Sequence, residues 1–491
     1  MNFPQMGDTV PVSDLVALNK ALRKSSIGYQ TPASADAGSG STPAAALSPL
    51  VPQSLEPTLA SKTYTMQELA LWPRIAKQFA SQTVHEYNVL NDQGLDLDPF
   101  ISEGDGGQLN TGSYDRKFVK IRYMAERRQI SDVAGLVGLR GPNASALAEE
   151  TQRGTERLLQ KLERSLFHAD GDVSDRSFDG IIKQIEKKSD GSIRTSSTED
   201  NGGQSLTVQK IQDLCGKVYG ANADGSGFGK PNVCMVEPRV YSDLIQSAVS
   251  AGRHDQLRLQ ESSAITFGVK NLTIMAPYGP VSIVSAPFLF NSWEAPSVAS
   301  TDRVGATSGS APATPVVSGI ATAAIGADEE SHWVQSEDGG KYFFKVVAVN
   351  KFGYSAPVTA GGDTYAFTGA NTHKLTITVA AQSNVDFFRV YRSAKNGTAA
   401  TCKLIGEFKA ATSGATSVVD FNYNVPDTSR MLLLDMNPQK LRFMRLLDFL
   451  RRPLAETATA KPFLLMMFGT PIVAVPEHCF SLRNVGFTAG S

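Results

Sequence analysis

The sequence predicts an α+β fold carrying an inserted all-β module, and three patterns support that prediction. Residues 114–130 alternate apolar and basic side chains, with Phe118, Ile121 and Tyr123 interleaved with Lys117, Lys120 and Arg122, as an extended strand requires. Residues 145–168 then place Leu147, Thr151, Gly154, Leu158, Leu162 and Leu166 at steps of three and four, one apolar stripe along a helix. From about 316 to 425 the texture changes to short alternating runs, separated by Gly and Asn turns, as expected of a small β-sandwich.

The chain has 491 residues, enough for two to four domains, and 41% of them are hydrophobic, enough for real cores. Forty-seven basic against 48 acidic side chains leave a formal net charge of −1, so any binding to a polyanion must be local. The four cysteines, Cys215, Cys234, Cys402 and Cys479, form no Cys-x-x-Cys pair, which favours reduced core thiols over zinc or a disulfide framework. The first residues show no basic segment followed by an apolar stretch, so no signal peptide is expected. The longest apolar candidate, Pro462 to Pro476, is short and broken by Gly and Pro, so no membrane partner is expected.

Taken in order, Val12 to Leu22 offers one short amphipathic segment. A Ser/Ala/Pro/Gly/Thr tract, Gln30 to Pro57, then lacks the apolar surface to fold alone. Thr65 to Ala80 reads as a helix, with Pro73 starting a fresh turn. Ser81 to Tyr87 begins a strand pair that ends at 114–130, its tip formed by the polar, Gly-rich residues 101–113. After a break at Gly141-Pro142-Asn143, the segment from Ser145 to His168 would be roughly 35–40 Å long as a helix. Gly154 within it suits a place where another backbone packs close. Phe178 to Lys187 reads as a short helix and Gly191 to Gln204 as a polar loop. There follow a helix at 207–219, a strand at Asn232–Val236, a helix from Pro238, and short strands between Phe267 and Phe290. Ala295 to Pro315 is a linker to the β-module. After Pro426 mixed α/β texture returns, with Leu441 to Arg451 as one amphipathic element; the module is thus an insertion whose two ends should lie close together.

Catalytic, cofactor and metal motifs are not found. Gly225-Ser-Gly-Phe-Gly-Lys-Pro lacks the first Gly of a phosphate loop, and Pro231 stands where Ser or Thr would hold magnesium. Asn222, Asp224 and Ser226 space like a calcium loop, but its twelfth position is Val233. The six histidines form no metal-like cluster. Two charged features remain. Arg116, Lys117, Lys120, Arg122, Arg127 and Arg128 crowd one half of the extended arm, and Asp92, Asp96, Asp98, Glu103 and Asp105 crowd the other half and tip. They read either as a solvated hairpin or as complementary ion pairs between neighbouring copies. Lys440, Arg442, Arg445, Arg451 and Arg452 read as one face of a peripheral element, or as non-specific contacts to packaged DNA.

This order of elements resembles the Hong Kong 97-type fold of tailed-phage major capsid proteins, also used by encapsulins and herpesvirus capsid floors. The resemblance runs from about 63 to 296 and resumes from about 430 to 488. It is carried by Lys120-Ile-Arg-Tyr-Met-Ala125 with Gln129-Ile-Ser-Asp-Val-Ala134, by Asn232-Val-Cys-Met-Val-Glu-Pro-Arg-Val-Tyr-Ser-Asp-Leu-Ile245, and by Phe463-Leu-Leu-Met-Met-Phe-Gly-Thr-Pro-Ile-Val-Ala-Val-Pro476. The resemblance implies a flexible N-terminal arm (1–62), a leading helix and extended loop (63–136), and a peripheral domain with its spine helix (137–205). It further implies an axial domain (206–296), a linker and inserted sandwich (297–428), and a return to the core domain (429–491). Within the insertion, Tyr342 to Pro357 is similar to the late strand of fibronectin type III or immunoglobulin-like modules, and Phe387 to Arg392 to their third strand. They come here in reverse order, which leaves strand connectivity open.

A member of this family would be a non-enzymatic subunit without cofactor, assembling as hexamers and pentamers into an icosahedral head in the host bacterial cytoplasm. It would become part of the virion. Inter-subunit contacts are expected at Asp96, Asp98, Glu103, Asp105, Arg116, Lys117, Lys120, Arg122, Arg127 and Arg128, and spine packing at Leu147, Gly154, Leu158, Leu162 and Leu166. The expected partners are further copies, a separate scaffolding protein, a portal, packaged DNA and a decoration protein. An encapsulin-type cargo shell and a tail or adhesin protein are the alternatives. The β-module and N-terminal arm favour a virion, and the long charged helix does not suit a tail tube.

Overall fold

The computed structural model describes residues 68–487 except 93–99, 101–102, 105–110, 137–144, 221–226, 251–271, 291–292, 301–310, 327–328, 366–370 and 457–458. The N-terminal arm, the Gly141 break, most of the Gly-rich tip and the middle of the linker (301–310) therefore lie outside the described residues.

The first strands are β1 (Ala76–Phe79), β2 (Val84–Asp92), β3 (Ser113–Lys120) and β4 (Arg122–Ser131). β2 and β3 pair antiparallel with each other alone, from Val84 opposite Lys120 at the root to Asp92 opposite Ser113. The 9 residues of β2 span about 30 Å. The run expected as one strand over 114–130 is therefore two strands with different partners. Ile121 lies buried between them and donates its amide to Thr83 O at 2.9 Å, so the chain leaves the hairpin there.

The helix expected over 65–80 does not form in its described part. Residues 71–74 turn tightly, Arg74 and Ile75 both donating to Leu71 O, and β1 follows. Pro73 lacks the amide a helix needs, and β1 gains a parallel partner in β17 (Leu441–Pro453). Leu441 to Arg451 is thus a strand. It pairs with β18 (Ala460–Val473), which pairs in turn with β4 through ten residues, giving the sheet order β1-β17-β18-β4.

After a short α1 (Asp132–Leu136), α2 (Ala146–His168) runs for 23 residues, about 35 Å, against one face of this sheet. Its buried stripe holds Gly154, Leu158, Leu159, Leu162, Glu163, Leu166 and Phe167, with Leu147 half-buried beside it. A Cβ on Gly154 would lie 2.6 Å from Leu465 Cδ1 and 3.2 Å from Arg128 Cγ, so glycine lets the sheet approach the helix.

α3 (Ile181–Glu186) and β5 (Thr198–Asp200) follow, the latter inside the segment expected as a loop. α4 (Val208–Tyr219), β6 (Val233–Val236), α5 (Pro238–Ser250), β7 (Thr273–Ala276) and β8 (Gly279–Ser285) then build a second sheet with β16 (Ser429–Leu434) and β19 (Phe480–Val485), ordered β5-β19-β16-β6-β8-β7. Both faces of its centre are covered: Met431 and Leu433 face α4 and α5, while Leu432 and Leu434 face the core of α2. That accounts for an unbroken apolar run there in place of alternation.

The insertion consists of β9 (Val317–Ala324), a one-turn α6 (Gln335–Asp338), β10 (Gly340–Val349), β11 (Val358–Tyr365), β12 (His373–Val379), β13 (Phe387–Arg392), β14 (Lys403–Lys409) and β15 (Thr416–Asp420). They form sheets β11-β10-β13-β14 and β15-β12-β9 around a core of Trp333, Phe344, Ile377 and Phe388. β10 and β13, the strands that carry the module's resemblance, are neighbours. Lys403 Nζ lies 2.9 Å from Glu294 and 4.0 Å from Asp427, so the chain enters and leaves the sandwich at one place. Lys409 pairs with Asp175 at 3.2 Å, Arg176 pairs with Asp386, and Arg164 of α2 stacks 3.9 Å from the Trp293 ring, so the sandwich is seated on the end of the long helix.

Candidate functional site

The β2–β3 hairpin places side chains outside any core. Along β3 only Lys117 and Val119 are half-buried and the rest are exposed, including the aromatic rings of Tyr114 and Phe118. Only the root packs: Tyr87 and Val119 rest on Met444, Ile472 and Ala474. Exposed aromatic rings on a two-stranded ribbon gain no burial within one copy, which distinguishes the hairpin from an ordinary solvated loop.

The ten charged residues expected at this surface divide into three groups. Arg116, Lys117 and Lys120 are on β3, where Arg116 lies 3.6 Å from Glu86 in an exposed pair of little energetic weight. Glu103 is exposed near the tip, and Asp96, Asp98 and Asp105 lie outside the described residues. Arg122, Arg127 and Arg128 sit on β4, in the sheet and not on the hairpin. Arg128 faces α2 and pairs with Glu150 at 3.5 Å, while Arg127 is exposed on the opposite side and has no ion-pair partner among the described residues.

The basic cluster at 440–452 is largely occupied from within. Lys440 pairs with Asp435 and Arg445 with Asp448; Arg442 lies over Tyr87 and Arg451 over Phe463. Arg452 alone of the five has no such partner among the described residues. Ion pairs thus neutralise two of the five charges, Lys440 and Arg445.

Beneath the hairpin, a carboxylate fixes the route of the chain. Glu163, wholly buried on α2, accepts the amides of Ala70 at 2.9 Å, Leu71 at 2.6 Å and Trp72 at 2.8 Å. Burial pushes its carboxyl above the usual range, and the three amide bonds and Arg74 counter this only in part. A second buried carboxylate, Glu186, accepts from Arg430 and, at 2.7 Å, from the Ser481 hydroxyl. Burial would raise it, but Arg430 and Arg483 outweigh that and hold it below the usual range. Neither group was identified from sequence. The signal for Glu163 was a lone acid four residues after Leu159, inside the buried arc of the helix.

Among the described residues no group of three His, Cys, Asp or Glu is placed to hold a metal, and no helix is long and apolar enough to cross a membrane.

No family model matches the chain. The major capsid protein of Staphylococcus phage K is 22% identical over 458 residues, spanning 89% of this chain and 90% of its own length. That of Staphylococcus phage S25-3 matches equally, 22% over 458 residues and the same shares of both chains. The chain is similar to phage major capsid proteins along most of its length. Its hairpin, long helix and returning strands come in the order that the resemblance noted in the sequence implies. Solved structures that align with it include the capsid of a native GTA particle (TM-score 0.44, 9% identity, 91% of this chain and 100% of the other). The cyanophage A-1(L) capsid aligns with TM-score 0.43 at 8% identity over 89% and 98% of the two chains. The holo encapsulin complex of Synechococcus elongatus PCC 7942 aligns with TM-score 0.42 at 8% identity over 92% and 98%.

Proposed function

We propose that this chain is the shell-forming subunit of a double-stranded-DNA tailed-phage head, assembling as hexamers and pentamers and acting by contact rather than catalysis. The observation that carries this reading is similarity to phage major capsid proteins along nearly the whole of both chains. The exposed β2–β3 hairpin supports it, because a second copy supplies the surface that its aromatic residues lack within the chain. Many modest contacts repeated by symmetry make a stable shell.

In this reading the charged residues of the arm, Asp96, Asp98, Glu103, Asp105, Arg116, Lys117 and Lys120, meet a neighbouring copy. A separate scaffolding protein guides assembly in the host cytoplasm, a portal occupies one vertex, and the sandwich faces outward, available to a decoration protein. The sandwich is of fibronectin or immunoglobulin type. Packaged DNA meets the inner surface without sequence preference.

Negative-stain microscopy of the full chain, expressed alone and with a scaffold, tests the proposal. Closed icosahedral particles are expected, enclosing nucleic acid when purified from infected cells. Particles filled instead with an enzyme would establish a cargo shell, and a chain that stays monomeric under every condition would overturn the shell reading altogether.

A further inference from the structure

Among the described residues, each buried apolar cluster lies either within the sandwich and its linker or wholly outside them. The sandwich is therefore held by polar and cation–ring contacts, which form two groups of opposite character. The first is buried and lies where the chain leaves the module. Asn484 of β19, 2% exposed, grips the exit segment with both ends of its carboxamide. Its Oδ1 accepts the Val425 amide at 3.0 Å and the Thr428 hydroxyl at 3.3 Å. Its Nδ2 donates to Tyr423 O at 3.1 Å and to Asp200 Oδ2 at 2.9 Å. Asn484 has a φ of +52°, a left-handed conformation that Asn tolerates better than most residues. His332 of the sandwich lies 3.5 Å from the same Asp200, and Arg483 stacks 4.9 Å from the Tyr423 ring. Away from water such a network is strong.

The second group lies at the end of α2 and is open to solvent. Arg176 pairs with Asp386, with side chains 52% and 41% exposed. Lys409 pairs with Asp175 at 3.2 Å, with side chains 54% and 84% exposed. Exposed pairs of this kind contribute little and are screened by salt. Arg164 of α2 adds its stack on Trp293, which belongs to the sandwich because its carbonyl accepts the Leu404 amide at 2.8 Å. The loop that carries Asp175 and Arg176 is itself held in shape. Lys183 Nζ sits 2.6 Å from each of Asp170, Asp172 and Asp179. The weak point is therefore the seam between that loop and the sandwich.

We propose that the sandwich is a latched, swinging module. Asn484 and the exit segment form its pivot, and the Arg176–Asp386 and Lys409–Asp175 pairs form a salt-sensitive latch that releases it from the end of α2. The two pairs run in opposite sense, minus beside plus on the loop against plus beside minus on the sandwich, so the closed position has one register. The device belongs to the single subunit and does not depend on the shell reading.

Energy transfer between dyes on the full chain tests it, one at Arg157→Cys on α2 and one at Ser383→Cys on the sandwich. Both positions are exposed, and the native cysteines are buried. Raising the salt from about 0.01 to about 1 M shortens the Debye length from about 30 to about 3 Å, and should raise the open, low-transfer population roughly fivefold. Asp175→Lys with Arg176→Asp should open the module even in dilute salt, and adding Asp386→Arg with Lys409→Asp should close it again. The Val425 amide should stay protected from hydrogen exchange throughout, because the pivot does not move. Transfer that salt and the charge reversal leave unchanged overturns the latch, as does reversal without rescue. Loss of Val425 protection together with transfer overturns the pivot. Should the reversed variant fail to fold, the salt titration of the otherwise unaltered chain decides alone.

Discussion

The carboxylate of Glu163 accepts the backbone amide of Leu71 at 2.6 Å across 92 residues of sequence. With the amides of Ala70 and Trp72 it forms a three-way cap in the core, so one acid on the long helix decides where the preceding chain crosses beneath the sheet. A buried charge survives there because three oriented N–H dipoles replace its water.

Glu163→Ala should destabilise the subunit by about 3 kcal/mol or more, since three buried donors lose their acceptor together. Glu163→Gln should cost less, as its carbonyl oxygen still accepts. The raised carboxyl adds a pH signature: its contribution is most favourable below the unfolded value and falls as pH rises through the folded one. Urea unfolding should therefore show the stability of Glu163→Gln improving relative to the parent from pH 4 upward.

Two glycines should respond oppositely to alanine. A Cβ on Gly469 would lie 2.2 Å from Phe443 Cε1 and 2.9 Å from Met444 O, and Phe443 is wholly buried, so Gly469→Ala should cost about 3 kcal/mol. Gly216, within α4, has nothing within 4 Å of the added methyl, and Gly216→Ala should stabilise by about 1 kcal/mol. Thermal unfolding of both variants beside the parent checks the pair.

All four cysteines are buried and free. Burial pushes the Cys479 thiol up to about 12 and raises Cys215, Cys234 and Cys402 as well. The native protein should not react with a thiol-specific reagent at pH 8, whereas the unfolded protein should release four equivalents.

Acid should weaken the fold through His168. Burial, then Arg164 and Arg430, lower its pKa to about 3, and its ring nitrogen sits 3.1 Å from Phe288 O. A lowered histidine contributes its full stability above the unfolded value, about 6.5, and loses it progressively as pH falls toward the folded one. The melting temperature should drop between pH 7 and 4, and His168→Gln should flatten that slope.

The spine stripe was legible because one-sided burial of a helix forces a 3.6-residue period, and Leu158, Leu162 and Leu166 follow it. The sandwich was legible for the same reason at period two. The boundary at Ile121 was not, since alternation continues unchanged from β3 into β4 while the hydrogen-bonding partner switches. β17 escaped a strand assignment because its ladder shifts register between Arg445 and Leu447 and again before Leu450, which scrambles the alternation. Glu163 and Gly469 owe their roles to neighbours far away in sequence, and local pattern carries no record of those. Of the surface residues, Arg116, Lys117 and Lys120 lie on the hairpin, whereas Arg128 belongs to the helix–sheet seam.

Ile121 is shared by hairpin and sheet, and β4 leaves it to run ten rungs against β18. Tension applied to the arm is therefore delivered along the strand axis, where all the rungs resist in shear at once, instead of peeling open singly. A particle swelling under internal pressure would load its subunits in their mechanically toughest direction.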